Sequence, residues 1–241
     1  AIIVITAGAN QKPNETRLDL VQKNAKIMTD VVTQIKEQQY KGILLIVSNP
    51  VDIMTQVAME VSGFPEHRVF GSGTVLDSAR LRYHLGQHLG VDSRSVHAFV
   101  IGEHGDSEIA AWSSANVSGV PLNSFCEMRG HYNHEGNTES IEEQVKNSAY
   151  EIIAKKDATY YGIAMVVKRI CQAIVRDEKS IFPISLRMHG EYALEDVVLS
   201  MPAIVGARGI ETTIPISLDE KEVSRLHESA EMLRETRKEI R

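Results

Sequence analysis

A histidine set between glycines and acids is the part of this sequence best suited to proton transfer. Residues 102–106 read Gly-Glu-His-Gly-Asp and follow the apolar run 95–101, which predicts a buried strand. A strand that ends in a glycine-containing turn can fix an imidazole while a ligand approaches it. His104 is therefore a candidate proton donor or acceptor. The same residues also fit an ordinary strand followed by a turn.

An acid and a guanidinium stand together on another predicted element. Residues 68–70 predict a short strand, residues 71–73 a turn, and a helix follows from about Leu76 to Gly90. Asp77 and Arg80 lie three residues apart near its start, so both project from one face. Each also fits an ordinary role, Asp77 as a helix-start acid and Arg80 as a partner in a surface ion pair.

The first half of the chain alternates apolar runs with amphipathic helices. Residues 2–6 and 43–47 are β-branched, apolar runs typical of strands buried on both faces of a parallel sheet. Between them, a helix capped by Thr16 has apolar residues at three- and four-residue spacing: Leu18, Val21, Ala25, Met28, Val32 and Ile35. Asn49 as N-cap and Pro50 as first helical residue open a second helix that ends at Gly63.

Successive strand–helix units predict right-handed crossovers and a parallel sheet with helices on both faces. Ligands of such sheets bind at the carboxyl ends of the strands, which here carry residues 6–9 and 47–49. From about Val91 onward the predicted helices and strands no longer alternate, which indicates an α+β domain. We expect a polar loop at residues 131–139, helices over 141–173, an antiparallel hairpin of residues 180–190 and 193–205, and a last helix with a capping box at Ser217.

Composition excludes several classes of protein. The 241 residues are 43% hydrophobic and 24% charged with a net charge of -6, and they contain no basic run, so we expect no nucleic-acid partner. The apolar runs are too short to span a bilayer, and residues 1–20 do not read as a signal peptide. Cys126 and Cys171 lie far apart, which indicates neither a disulfide framework nor a thiolate metal site. We expect no metal and a cytoplasmic location.

Five segments, taken together and in order, resemble the NAD-dependent L-lactate dehydrogenases. They are residues 5–9, 11–20 with Arg17, 47–52, 76–80 and 102–106. The likeness spans essentially the whole chain and implies a partial doubly wound Rossmann sheet (1–90, the second half of a dinucleotide-binding domain) followed by an α+β substrate domain (91–241). The malate dehydrogenases share this fold and its His/Asp/Arg site, and they remain the alternative.

The resemblance implies a role for each candidate residue in hydride transfer between NAD(H) and a small 2-hydroxy or 2-oxo acid. His104 would exchange the proton, Asp77 would hold its other ring nitrogen, and Arg80 would grip the substrate carboxylate with two parallel hydrogen bonds. Arg17 would reach the carbonyl oxygen when the loop before it closes. Further substrate contacts would come from Gln11, Asn49 and Thr159. The cofactor would be bound by Thr6, Gly8, Ala9, Val47, Ser48, Asn49 and Ser72.

Gln11 decides between the two substrates, because malate dehydrogenases carry an arginine there to pair with a second carboxylate. A neutral amide suits the methyl group of pyruvate. Arg82 and His97 point away from the catalytic histidine, and in bacterial relatives an arginine and a histidine at the matching positions bind fructose 1,6-bisphosphate between subunits. The resemblance thus implies an allosteric homotetramer.

One departure is large. The family's G-x-G-x-x-G loop for the pyrophosphate and the acidic residue for the ribose are both missing, so we expect roughly 60 to 80 further residues upstream. A smaller departure is Asn14, where many relatives carry glycine. The alternative to an enzyme is a fragment that cannot bind NAD and acts only as a structural or assembly module.

Overall fold

In the part of the chain that the structure describes, one mixed sheet is the framework on which everything else is placed. The structure is a computed structural model that describes residues 1–9, 17–156 and 160–240, without the side chains of residues 17, 18 and 149–156. The strands are β1 (Ile2–Ile5), β2 (Ile43–Ile46), β3 (Val69–Gly71), β4 (Val96–His97), β5 (Val100–Ile101), β6 (Ile109–Ala110), β7 (Asn116–Val117), β8 (Val120–Pro121), β9 (Ser180–His189), β10 (Glu195–Gly206) and β11 (Gly209–Thr213). The helices are α1 (Arg17–Glu37), α2 (Val51–Ser62), α3 (Val75–Leu89), α4 (Leu122–Met128), α5 (His134–Lys156), α6 (Tyr160–Val175) and α7 (Glu220–Lys238).

The main sheet has the order β1-β2-β3-β9-β10-β11. Strands β1, β2 and β3 run parallel, and β9, β10 and β11 form an antiparallel meander. The two parts join where Gly71 of β3 pairs with Ser185 of β9. The predicted α/β class with a parallel sheet is confirmed, and the predicted hairpin is β9–β10. The domain boundary near Val91 stays a prediction.

The core lies between this sheet and the helices that cover it. The predicted stripe on α1 is buried at Val21, Ala25, Met28 and Val32, and α2 buries Ile53, Met54, Val57 and Ala58. Side chains from the first strands and from the meander share one apolar cluster. Strand β1 is less buried than predicted, with Ile5 covered and residues 2–4 only half-buried, and it is an edge strand of the sheet among the described residues. Among the described helices, none is long and apolar enough to cross a bilayer.

Four further local predictions were wrong. Helix α2 begins at Val51 with Pro50 as its N-cap, so Asn49 lies one residue further out than predicted. The capping box of α7 is formed by Asp219 and Glu222 rather than at Ser217, since these two groups bond each other's backbone N–H. Residues 134–139 belong to α5 instead of a loop. The predicted cap Thr16 lies outside the described residues.

The fourth correction concerns the predicted strand at residues 95–101, which is broken in two. Val96 pairs with Val117 in a small three-stranded sheet, whereas Val100 pairs with Ala110 in a separate two-stranded ribbon. The backbone carbonyl of Phe99 between them accepts a hydrogen bond from Ala111. The chain thus changes partners just before the Gly-Glu-His-Gly-Asp segment.

Gly73 tests how tightly the two halves of the main sheet are joined. It has φ of +50°, and a Cβ there would lie 2.7 Å from both the Pro183 carbonyl oxygen and the Ser185 nitrogen of β9. We expect Gly73→Ala to lower the free energy of unfolding by about 2 to 5 kcal/mol, through a left-handed backbone and a backbone clash together. Denaturant-induced unfolding measures the loss. Gly130→Ala is the control, because Gly130 has φ of +83° but open space around it, so only about 1 to 2 kcal/mol should be lost. Equal losses for both variants would show that the junction tolerates the extra atom.

Candidate active site

Three consecutive backbone N–H groups anchor the histidine loop to three different elements. Gly102 donates to the Ser200 carbonyl of β10 over 2.9 Å, and Glu103 donates to Ser229 Oγ of α7 over 2.9 Å. His104 N donates to Asp52 Oδ2 of α2 over 2.7 Å. Because each anchor is buried or half-buried, the position of the His104 backbone is fixed by the packing of α2, β10 and α7.

Asp52 is a fully buried carboxylate that sequence reasoning missed as a functional group. Besides the bond from His104 N, Asp52 Oδ1 accepts hydrogen bonds from Ser185 Oγ over 2.6 Å and from Ser200 Oγ over 3.4 Å. Burial raises the pKa of Asp52 to about 6, although these donors act in the opposite direction. The signal in the sequence was an acid at a core-facing position between Val51 and Ile53.

Asp77, His104 and Arg80 form one hydrogen-bonded group. Asp77 Oδ2 lies 2.7 Å from His104 Nδ1, and Arg80 Nη1 donates to Asp77 Oδ1 over 3.1 Å. Helix α3 is fixed against β5 by two hydroxyls, since Ser78 Oγ accepts from Val100 N over 2.8 Å and Thr74 Oγ1 donates to the Val100 carbonyl over 2.5 Å. Sequence reasoning did not single out these hydroxyls, which place Asp77 beside the imidazole.

The electrostatics of this group favour a charged imidazole. Burial alone lowers the pKa of His104, but the Asp77 charge and hydrogen bond raise it to about 9, with smaller contributions from Asp52 and Glu108. Burial also acts to raise the pKa of Asp77, yet His104 and Arg80 hold it below its ordinary value. Since Nδ1 is engaged by Asp77, Nε2 is the ring nitrogen left to exchange a proton with a ligand.

Two cavities meet at His104. One is a groove of about 630 Å³ at the carboxyl ends of β1 and β2, and the other is a smaller cavity of about 130 Å³ beside Asp77 and Arg80. His104, Gly105 and Asp106 line both. A ligand in the groove and another in the cavity would therefore touch the same imidazole.

The groove brings together most of the residues predicted to bind a cofactor. Those that line it are Thr6, Gly8, Ala9, Val47, Ser48 and Asn49. The buried Asn24 ties two parts of its wall together, accepting from Ala9 N over 2.7 Å and donating to the Asn49 carbonyl over 3.0 Å. Ser72 is buried elsewhere and its N–H is bonded to Ile46, so it does not line the groove. Short side chains leave the backbone open, which fits a flat cofactor ring.

The remaining predicted residues are placed as follows. Gln11 and Thr159 lie outside the described residues, and Arg17 is described only as the first residue of α1. Arg82 is half-buried on α3 and His97 is exposed on β4. Neither lines the two cavities.

Comparison with known proteins decides the family. The model for the NAD-binding domain of lactate/malate dehydrogenases matches residues 1–71, and the model for their α/β carboxyl-terminal domain matches residues 74–241. This chain belongs to the lactate/malate dehydrogenase family.

Among the curated members of this family, the L-lactate dehydrogenase of Acetivibrio thermocellus is 49% identical over 97% of this chain and 74% of its own length. That of Thermoanaerobacterium saccharolyticum is 47% identical over 99% of this chain and 77% of its own. The ligand-bound crystal structure of the minor L-lactate dehydrogenase from Enterococcus mundtii is also similar. Its TM-score is 0.95 at 42% identity, covering 100% of this chain and 76% of that one.

The charge of His104 can be tested through Asp77. In Asp77→Asn the imidazole keeps its burial but loses its main stabilising charge, so we expect the pKa of His104 to fall from about 9 to below the ordinary histidine range. NMR titration of the imidazole signals measures this, with the His104 signal assigned by its loss in His104→Asn. Asp106→Asn removes an exposed carboxylate from the same loop and should leave the value near 9. A His104 pKa unchanged in Asp77→Asn would mean that this pair does not set the charge.

Proposed function

We propose that this chain is an NAD-dependent L-lactate dehydrogenase that interconverts L-lactate and pyruvate. The observation that carries the proposal is His104, bonded to Asp77 through Nδ1 and placed in the shared wall of a cofactor-sized groove and a small polar cavity. Family membership supports the reaction class. The names of the similar relatives, all L-lactate dehydrogenases, support lactate over malate.

The two reactants occupy different cavities, the cofactor the groove and the substrate acid the small cavity. When bound, NAD⁺ supplies the acceptor for the hydride that leaves C2 of lactate. His104 Nε2 accepts the hydroxyl proton of lactate in the same conversion and returns it to the carbonyl oxygen of pyruvate in the reverse direction. Asp77 stabilises the imidazolium that forms, so the proton stays beside the substrate oxygen.

We propose that Arg80 binds the substrate carboxylate. Its guanidinium is bonded to Asp77 and lines the small cavity, and its planar fork matches a carboxylate with two parallel hydrogen bonds. Asn49 joins the groove wall next to His104. We assign Arg17 to the carbonyl oxygen and Thr159 to the substrate shell from the resemblance to the family alone.

We further propose that the cofactor's nicotinamide side is held by the residues that line the groove. These are Thr6, Gly8, Ala9, Val47, Ser48 and Asn49. Asn24 supports them by fixing the loop after β1 to the turn after β2. Ser72 acts at most indirectly, through its backbone bond to β2.

We also propose a cytoplasmic homotetramer that serves fermentative glycolysis, where pyruvate reduction regenerates NAD⁺. Cys126 and Cys171 are free thiols, and burial raises the pKa of each, which suits a reducing compartment. The tetramer follows from the resemblance alone.

Gln11→Arg tests the choice of substrate and, with it, the proposed function. The wild type should reduce pyruvate with NADH far better than oxaloacetate. The new guanidinium should shift the ratio of kcat/KM toward oxaloacetate by about 100-fold, because it pairs with the second carboxylate and is left unpaired by a methyl group. Steady-state kinetics with both acids measure the ratio, and Gln11→Met, which cannot pair with a carboxylate, should keep the preference for pyruvate. A wild type that turns over neither acid would refute the function, whereas an unchanged ratio in Gln11→Arg would refute only the role of Gln11.

Arg82 and His97 are proposed to bind fructose 1,6-bisphosphate where subunits meet. Burial disfavours the charge of Arg82 and lowers its pKa, so a multivalent anion would offset that cost and favour the assembled, active state. We expect the bisphosphate to lower the pyruvate KM of the wild type. Arg82→Gln should abolish the effect, and Arg94→Gln, an exposed arginine paired with Asp92, should not. Identical wild-type KM values with and without the bisphosphate, at acidic and neutral pH, would reject the regulatory site.

A further inference from the structure

Glu108 is a buried acid on the substrate side of the site that neither the family motif nor the mechanism uses. It is 5% exposed, and it lines the 130 Å³ cavity together with Asp77, Arg80 and His104. One carboxylate oxygen of Glu108, one of Asp77 and one ring nitrogen of His104 lie within 4.8 Å of one another. The cavity assigned to the substrate carboxylate is thus lined by the buried carboxyl group of Glu108 in addition to that of Asp77.

The charged groups around Glu108, among the residues that the structure describes, come from three segments. Asp77 and Arg80 face it from α3, His104 and the exposed Asp106 from its own loop, and Lys146 from α5. Lys146 is one-third exposed and lies 3.4 Å from Glu142, so its charge is shared and partly screened by solvent. Burial raises the pKa of Glu108 to about 8, with a further increase from the Asp77 charge that His104, Lys146 and Arg80 only partly offset.

We propose that Glu108 must hold its proton for the cavity to bind a substrate carboxylate, so that its ionisation sets the upper pH limit of substrate binding in both reaction directions. This inference rests on the proposed dehydrogenase function. It makes the protonation of Glu108 a condition for substrate binding at the same site.

Charges enclosed in a small, buried space must nearly balance. With pyruvate, the charges of Asp77 and the His104 imidazolium cancel, which leaves Arg80 to match the single negative charge of the substrate. With lactate the imidazole is neutral, so a further negative charge in the cavity is offset even less. An ionised Glu108 would add a second negative charge within a few ångströms, where low dielectric makes repulsion strong. A neutral Glu108 keeps the same shape without that charge and can donate a hydrogen bond. The neighbouring cations Arg80 and Lys146 also make this cluster a poor place for a metal ion.

The sign of the pH dependence separates Glu108 from His104. A carboxyl group with a pKa near 8 is neutral at lower pH, so KM should be flat below pH 8 and rise about tenfold per pH unit above it. For pyruvate, loss of the His104 proton near pH 9 weakens binding further. Lactate needs the neutral imidazole, so His104 alone predicts a falling lactate KM over this range. A lactate KM that rises through pH 8 therefore reports Glu108 and not the catalytic histidine.

The experiment measures KM and kcat for pyruvate and for lactate from pH 6.5 to 9.5 in the full-length protein, for the wild type, Glu108→Gln and Glu127→Gln. Glu127 is an exposed glutamate that pairs with His134, away from the site, and its variant should follow the wild type. Glu108→Gln should match the wild-type pyruvate KM within about twofold at pH 6.5 and lie about tenfold below it at pH 9. Its lactate KM should no longer rise above pH 8.

Two results would overturn the proposal. One is a wild-type lactate KM that falls steadily from pH 7.5 to 9.5, which needs no variant and holds even if Glu108→Gln does not fold. The other is an active Glu108→Gln protein whose KM profiles coincide with those of the wild type in both directions. An enzyme without activity toward either acid would instead refute the proposed dehydrogenase function, so the two failures are distinguishable.

Discussion

A buried carboxylate that must be satisfied is the constraint on which the rest of this site depends. Asp52 lies in the core at the first turn of α2, where an ionised group is costly unless hydrogen-bond donors surround it. Its donors come from the His104 backbone and from Ser185 and Ser200 on neighbouring strands of the meander. A helix of the parallel half, the meander and the histidine loop are thereby held at one point. Any shift of one of them would leave a buried charge or a buried N–H unpaired.

The same logic places Asp77, the hydrogen-bond partner of the His104 imidazole. Asp77 is delivered by α3, and the hydroxyls of Ser78 and Thr74 bind the backbone of Val100, two residues before the loop begins. Both partners of the 2.7 Å contact are therefore positioned through β5, one from each side. This rigidity matters because the imidazole is strongly basic only while the carboxylate stays within hydrogen-bonding distance. The fold supplies this proximity through hydrogen bonds to the backbone of Val100.

Sequence patterns predicted the parts of the fold that depend on local periodicity. The stripe on α1, the parallel strands β1 and β2 and the long hairpin all follow from the spacing of apolar residues. The pairing of Gly71 with Ser185 could not be predicted, because contacts over more than a hundred residues leave no local pattern. The Ser217 capping box failed because its spacing matches the true box at Asp219, two residues later. The site's supporting residues, such as Asn24, were missed because single polar residues on buried faces have many possible partners.

Asp52 and Glu108 show why burial alone does not determine what an acid does. Both are almost entirely covered, and burial raises the pKa of each, to about 6 for Asp52 and about 8 for Glu108. Asp52 is met by a backbone N–H and two hydroxyls that stabilise its charge, whereas Glu108 has the negative charge of Asp77 as its next-largest influence after burial. At neutral pH the first is therefore mainly an anion that organises the backbone, and the second is mainly a neutral acid in the wall of the small cavity. Asp52 precedes the His104 loop in the sequence and Glu108 follows it, yet both raise the pKa of the imidazole. The protonation state of His104 thus depends on several acids together and not on Asp77 alone.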